Sequence, residues 1–375
     1  MRVLFWVGYR FEEWNSQSDG LGGTEIAVSK VAESLAQHGH EVTVAGEVIS
    51  GVHNRVTWLS IQDFENQSFK KDPNRFDVVV GVNYLHFIQV LDDNGLKPKL
   101  TVFWLHNTEW HQYYKGEVLE NQMDLLNRID HVITPSAWAN KKFMETYCQG
   151  TTLDGPSWNR PVQSQVNGID PLKFKMKCAK DPNKFIWSSA VDRGLNKLLD
   201  NWWRVKEVMP EATLDVYYPK YSDPHVQDDR NWYNIDGILD KLENVKDLGV
   251  NDMGSVSQDE LHLAMQKASY WMYLTDYEET FCITALEMQM AGVFCIVSDT
   301  AALPFVVKDG IIVPTTNDET MFKNSIQLLS MMDQGLKHKA LRDAKERAKL
   351  FNWDLVGQSW HEMLKTIYYI QQNEN

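Results

Sequence analysis

Two glutamates eight residues apart, Glu279 and Glu287, stand in the segment Tyr277-Glu278-Glu279-Thr280-Phe281-Cys282-Ile283-Thr284-Ala285-Leu286-Glu287. The apolar run Tyr270–Leu274 before it predicts a strand, and Ile283–Ala291, stopped by Gly292, predicts a helix. Glu279 then lies in the loop at the strand's carboxyl end and Glu287 inside the helix. Between them the first backbone N–H groups of the helix have no intrahelical acceptor, and the dipole end is positive, so a phosphate can bind there. Two carboxylates flanking such a start can accept hydrogen bonds from sugar hydroxyls. The spacing alone fits equally well a solvated Glu279 and a Glu287 on the helix surface.

Three further turns bear on the same chemistry. Ser188-Ser189-Ala190-Val191-Asp192-Arg193-Gly194-Leu195 follows an expected strand, Phe185–Ser189, and Arg193 could grip two phosphate oxygens at once; alone, it reads equally as a capping or surface arginine. Gly22-Gly23-Thr24-Glu25 follows the first strand and loop, and its glycines would let backbone approach a phosphate. A dinucleotide fingerprint needs a third glycine where Ile26 stands, which argues against NAD. Trp104-Leu105-His106-Asn107 closes an expected strand with a histidine, although a lone histidine is more often structural.

The pair Glu279 and Glu287, with Phe281 between and Ala291-Gly292-Val293 after, resembles the E-x7-E motif of retaining GT-B glycosyltransferases, especially glycosyltransferase family 4. The resemblance implies that Glu279 contacts the transferred sugar, that Glu287 holds the ribose of the nucleotide, and that the amides of Phe281, Cys282, Ile283 and Thr284 touch sugar and phosphate. It gives Arg193, with Ser189 in the same turn, to the donor pyrophosphate, His106 to the donor sugar near its primary hydroxyl, and Gly22 and Gly23 to the donor phosphates and acceptor. Met253-Gly254-Ser255-Val256 would line the base pocket with backbone. Val166-Asn167-Gly168-Ile169-Asp170 is similar to the segment before the interdomain crossing, and Phe351-Asn352-Trp353 to the family's ending, where a last helix returns to the first domain. Together these cover most of the chain in the family's order. The sequence departs in carrying Cys282 where the family usually has glycine, and one basic residue, Arg193, where the turn usually has an arginine and a lysine. On this basis Glu279, Arg193 and His106 are the expected catalytic residues, acting with no metal and no cofactor. The sequence contains no D-x-D, the motif by which the other large glycosyltransferase fold holds a divalent metal.

These residues need strands and helices to present them. Strand-like segments (Val3–Val7, Glu41–Ala45, Phe76–Gly81, Leu100–Leu105, His131–Thr134) alternate with helical ones (Thr24–His38, with Ile26, Val31 and Leu35 on one face, Asn121–Arg128, Ala137–Tyr147). The second half repeats the alternation: strands at Phe185–Ser189, Thr213–Tyr218, Tyr270–Leu274 and Phe294–Ser298, helices at Gly194–Val208, Asp259–Lys267, Ile283–Ala291, Glu319–Met332 and Lys337–Phe351, and a last helix at Leu355–Gln371. Such alternation means an α/β fold with parallel sheets covered on both faces. With the resemblance it implies a GT-B fold, two Rossmann-like domains facing each other across a cleft. The expected domains are 1–175, binding acceptor; 176–354, binding the nucleotide sugar; and 355–375, a helix crossing back. A chain of 375 residues, 43% hydrophobic, can bury two cores. Its net charge of −14 argues against nucleic acid. Four cysteines without metal-ligand spacing fit a reduced, cytoplasmic protein. The apolar run near Met1 is too short to span a membrane, so no integral membrane segment is expected.

The expected activity is transfer of a sugar from a UDP- or GDP-sugar to a carbohydrate, glycoconjugate or other hydroxyl acceptor with retention of configuration. The alternatives are a sugar-nucleotide epimerase on the same fold and a non-catalytic nucleotide-sugar-binding protein. Trp14, Trp110, Tyr113 and Tyr114 could stack on an acceptor sugar or anchor loops, and Lys141-Lys142 reads as a solvated helix face.

Overall fold

A computed structural model describes residues 1–8, 13–18, 20–67, 69–108, 122–147, 160–176, 178–218 and 234–374. Trp110, Tyr113, Tyr114 and Cys148 lie outside the described residues. The chain forms two compact units, Met1–Asn167 with Trp353–Asn375, and Gly168–Asn352; the sequence expectation set the junctions at 175/176 and 354/355.

The first unit is built on β1 (Arg2–Gly8), β2 (Glu41–Gly46), β3 (Gly51–His53), β4 (Val56–Ser60), β5 (Val78–Val82), β6 (Leu100–Trp104), β7 (His131–Thr134) and β8 (Val162–Ser164), ordered β3-β4-β2-β1-β5-β6-β7-β8. Central strands such as β5 and β6 are buried at every position, which is why they read as unbroken apolar runs. The sheet is not wholly parallel, as the alternation implied: β3 runs antiparallel to β4 at one edge. Asn54 and Arg55, both at positive φ (51° and 69°), make the two-residue turn between them, the conformation that tight hairpins require. The helix Gly23–Gln37 buries Ala27, Val28, Val31, Ala32 and Leu35. Ile26, expected on that face, is only partly buried, and Glu25 is buried instead.

The helix Trp353–Glu374 belongs to this unit and packs on helix Gly23–Gln37. A β-carbon at Gly357 would come within 2.0 Å of Ser34 Oγ, so only glycine allows the approach. Trp360 is fully buried against Phe5 and Trp104.

The second unit carries β9 (Lys184–Trp187), β10 (Thr213–Tyr217), β11 (Val250–Gly254), β12 (Tyr270–Tyr273), β13 (Phe294–Ser298) and β14 (Ile311–Val313), in the order β11-β10-β9-β12-β13-β14, every pair parallel. In chain order this is 3-2-1-4-5-6, the doubly wound arrangement whose strand order reverses between its first and fourth strands, here β9 and β12. Helices Leu195–Val208, Gln258–Lys267, Ile283–Met290 and Asp318–Ser330 are near their expected bounds. Helix Ile235–Asn244 and strands β11 and β14 were not anticipated. No described helix is long and apolar enough to cross a membrane.

Two local features give measurable outcomes. Cys282, which opens helix Ile283–Met290, sits at φ 74°, ψ 81°, a region that costs a residue with a side chain roughly 1–2 kcal/mol. Cys282→Gly is expected to stay within about 1 kcal/mol of wild type in chemical denaturation, because relief of that strain offsets lost burial and greater chain freedom. Cys282→Val should lose about 2 kcal/mol, since a branched side chain tolerates this region least.

In the first unit, His40 Nε2 and His361 Nδ1 are 2.8 Å apart, and the His38 ring stacks on His361 at 4.5 Å. A bond between two imidazole nitrogens needs one donor and one acceptor, so it fails once both rings are charged. Burial, the Met1 amine, His361, His38 and Lys365 hold His40 down at about 4. Burial, His38, Lys365 and the Met1 amine lower His361 too, opposed by Glu362. The unfolded chain then binds protons more readily between pH 6.5 and 4, so the stability is full above that window and falls as pH falls through it. Urea titrations from pH 7 to 5 should show this decline, and His40→Gln should flatten the slope by up to about 1.4 kcal/mol per pH unit.

Candidate donor-binding and catalytic site

Parallel register puts the turns after β9 and β12 side by side at the reversal of strand order, where open α/β sheets leave a crevice beyond their carboxyl ends. After β9 the chain makes a short 3-10 turn, Val191–Arg193, and enters helix Leu195–Val208 through Gly194 at φ 111°. A β-carbon there would meet Leu274 O at 3.3 Å and Thr275 at 3.5 Å. The glycine therefore lets one turn lie against the other, and Arg193 reaches across it.

Arg193 Nη1 donates to Glu279 Oε1 at 3.3 Å, and its guanidinium lies 4.4 Å from the centre of the Tyr277 ring. The same carboxylate oxygen accepts the hydroxyl of Tyr273 at 2.7 Å. Glu279 is buried and Arg193 partly so. Burial works against the charge on Arg193, but Glu279, Tyr277, Tyr273 and Asp192 together outweigh it and raise the guanidinium's pKa above its ordinary value. Burial, reinforced by Glu279, holds both the Tyr273 phenol and the Cys282 thiol well above their usual ranges, so both stay protonated. Backbone bonds from Glu279 N to Tyr277 O (2.8 Å) and from Ala302 N to Glu279 O (3.0 Å) pin the loop.

The helices that leave these two turns differ from others in the unit. Gln258–Lys267, Asp318–Ser330 and Gln334–Ala348 are capped by Ser257, Asn317 and Asp333. Leu195–Val208 and Ile283–Met290 start at Gly194 and Cys282 without a side-chain cap and with no acid in the first turn. Their N-terminal amides and positive dipole ends are left for another acceptor. The nearby Lys197 is held by Asp276 at 3.0 Å and Asp318 at 3.1 Å, so it does not replace the basic residue that the turn lacks.

Glu287 lies farther along its helix and meets His262 of helix Gln258–Lys267, with Nε2 and Oε1 3.3 Å apart. Val256 occupies the loop between β11 and that helix, partly buried. Ser189 accepts the Trp187 indole N–H on its carbonyl at 2.8 Å. Phe281 is a core side chain, packed near Phe305 and Phe351, so its contribution to a ligand is its backbone. Ile283 and Thr284 are partly buried in the first turn after Cys282. The second unit thus brings together Arg193, Glu279 and the helix start at Cys282. The sequence had not singled out Tyr273, Tyr277 or His262; a tyrosine ending a buried strand four residues before a loop tyrosine is too common a pattern to mark a site.

The other expected residues belong to the first unit. Gly22 and Gly23 are exposed at the start of helix Gly23–Gln37. A β-carbon on Gly22 would lie 2.5 Å from Glu25 Oε2, so the Glu25 carboxylate already covers this helix start. His106 follows β6, its ring 4.4 Å from Trp104 and its backbone N–H donating to Asn83 Oδ1 at 2.7 Å. Burial pushes its pKa down to about 3, so the imidazole is neutral. Trp14 is buried and packs edge-on against Trp58 at 5.4 Å, which makes it an anchor of the core. Lys141 pairs with Glu145 at 3.6 Å on an exposed helix face.

Residues 244–350 match the family model for glycosyl transferases group 1. No curated protein matches the sequence. Among solved structures, sucrose-phosphate synthase from Thermosynechococcus elongatus is similar over 99% of this chain and 100% of its own, with a TM-score of 0.74 and 14% identity. HepE from Anabaena, in complex with UDP-glucose, is similar over 98% of this chain and 100% of its own, with a TM-score of 0.71 and 14% identity. An α,α-trehalose-phosphate synthase (UDP-forming) from Burkholderia xenovorans, in complex with glucose-6-phosphate, covers 96% of this chain and 99% of its own, with a TM-score of 0.69 and 12% identity. Residues 244–350 accordingly belong to the glycosyl transferases group 1 family, and the chain is a glycosyltransferase of the GT-B fold.

Proposed function

We propose that this glycosyltransferase transfers a sugar from a UDP- or GDP-sugar to a hydroxyl of a carbohydrate or glycoconjugate, with retention of configuration and without a divalent metal. The observation that carries the reading is the contact between Arg193 and Glu279, set beside two uncapped helix starts at the strand-order reversal of the second unit. A cation and free amides suit a diphosphate, and the neighbouring carboxylate suits sugar hydroxyls. HepE holds UDP-glucose, which supports a nucleotide sugar as donor.

Breaking the bond between the sugar's anomeric carbon and phosphate oxygen builds negative charge on the leaving diphosphate. Arg193 and the amides after Gly194 and Cys282 would stabilise it, each counting for more in a partly desolvated site than in water. Glu279 would orient the sugar through its hydroxyls. The neutral His106 imidazole can both donate and accept, which suits another sugar hydroxyl. Glu287, steadied by His262, would accept from the ribose hydroxyls. In this scheme the acceptor hydroxyl attacks the face that the diphosphate leaves, and its proton passes to the departing phosphate oxygen, so no side chain is assigned as base.

A thermal-shift screen of UDP- and GDP-sugars checks the reading on wild type, Arg193→Ala and Glu287→Ala, each with its own ligand-free melting temperature. A ligand at 100 times its Kd stabilises the folded state by about 2.7 kcal/mol. At least one nucleotide sugar should raise the wild-type melting temperature, with or without EDTA, and both variants should lose most of that shift. Unchanged responses in the variants would show that the donor binds elsewhere.

A further inference from the structure

We infer that Tyr273 is a positioning residue: its hydroxyl, with the Arg193 guanidinium, occupies Oε1 of Glu279 and leaves Oε2 as the oxygen that meets the transferred sugar. The inference rests on the donor reading above and adds to it the group that sets how Glu279 is presented.

Tyr273 is the last residue of β12 and is fully buried. Its ring is fixed by Trp271, stacked at 4.8 Å with an 11° interplanar angle, and by Trp187 at 5.3 Å. A phenylalanine would fill the same space. The hydroxyl is accounted for by one contact, the 2.7 Å bond to Glu279 Oε1. The phenol stays protonated because burial, and then Glu279, hold it well above its ordinary range, so it acts only as a donor toward the carboxylate. Arg193 donates to the same oxygen at 3.3 Å, and Tyr277 lies against the guanidinium. No described residue donates a hydrogen bond to Oε2.

An arginine and a carboxylate left to themselves prefer two parallel bonds, one to each oxygen. That geometry would use up both carboxylate oxygens and turn the guanidinium's fork away from a phosphate. A second, immovable donor on Oε1 holds the pair in its one-oxygen form. Arg193 then keeps N–H groups for a diphosphate while Oε2 stays available. Removing the Tyr273 hydroxyl should therefore affect the sugar and spare the nucleotide.

The test is calorimetric titration of wild type, Tyr273→Phe, Glu279→Gln and the double variant with UDP, UDP-glucose, GDP and GDP-mannose. In the pair for which wild type prefers the sugar nucleotide to the bare nucleotide, Tyr273→Phe should weaken the sugar nucleotide by about tenfold, the scale of one hydrogen bond to a charged group. The bare nucleotide should stay within about twofold. Added to Glu279→Gln, the same change should cost nothing further, since Tyr273 acts through Glu279. Equal losses for nucleotide and sugar nucleotide, no loss for either, or additive losses in the double variant would each overturn the inference while leaving the donor reading intact. Wild type that binds none of the four ligands would overturn the donor reading and this inference with it.

Discussion

Glu279 is a buried carboxylate at the end of a parallel sheet, and the arrangement of the second unit follows from what it takes to hold it there. A charged group taken out of water must be met by donors, or burial costs several kcal/mol. Strand β12 supplies one donor, the Tyr273 hydroxyl, and the turn after β9 supplies the other, Arg193. Those two strands are far apart in sequence and become neighbours because the sheet reverses its order between them. The second donor reaches the carboxylate only because Gly194 lets the two turns approach closely. Sheet order, a glycine conformation and one ion pair are thus a single constraint.

The same constraint accounts for how the helices begin. At three other helices of the unit an Asp, Asn or Ser side chain satisfies a first-turn amide, whereas Ile235–Asn244 and the short Leu303–Val306 lack such a cap. At the two helices next to Glu279 the N-cap positions are Gly194 and Cys282, neither of which caps with its side chain. Unsatisfied amides are tolerated where an external acceptor or water can reach them. Cys282 pays for its position in backbone conformation: it adopts the left-handed region that suits the glycine usual at this point of the family motif. Its buried, protonated thiol behaves as a small apolar side chain rather than as a nucleophile.

The first unit solves a different problem. Its helix start at Gly22 carries its own acid, Glu25, folded back against it, so that N-terminus is less open to an anion than the two in the second unit. Its last helix comes from the far end of the chain and is fixed by a glycine-to-serine approach, by Trp360, and by the His38, His40 and His361 group. Neutral imidazoles recur in this unit, at His40, His86 and His106, each lowered first of all by burial.

Much of this was legible in the amino-acid sequence. Fully buried parallel strands leave unbroken apolar runs, so most of the central strands could be read, and Glu279, Glu287 and Arg193 could be placed on the turns and helix that carry them. The short edge strands β3, β8 and β14 could not, because three residues leave no periodicity, and the β3–β4 hairpin depends on the backbone of Asn54 and Arg55 rather than on a glycine signal. Pairings were equally hidden. Nothing in the spacing says that Tyr273 faces Glu279, a contact across six residues made by the way the loop folds back on its own strand. Nor does it say that His262 faces Glu287 or that Trp14 lies in the core, contacts made only when elements separated in the chain are laid side by side. The sequence by itself determined the residue types, their order and the elements that carry them, since these follow from local periodicity and turn chemistry. Which donors meet which carboxylate oxygen was decided by the tertiary structure, because the 3.3 Å bond from Arg193 depends on strand order and the 2.7 Å bond from Tyr273 on how the packed loop folds back, and no local pattern encodes either.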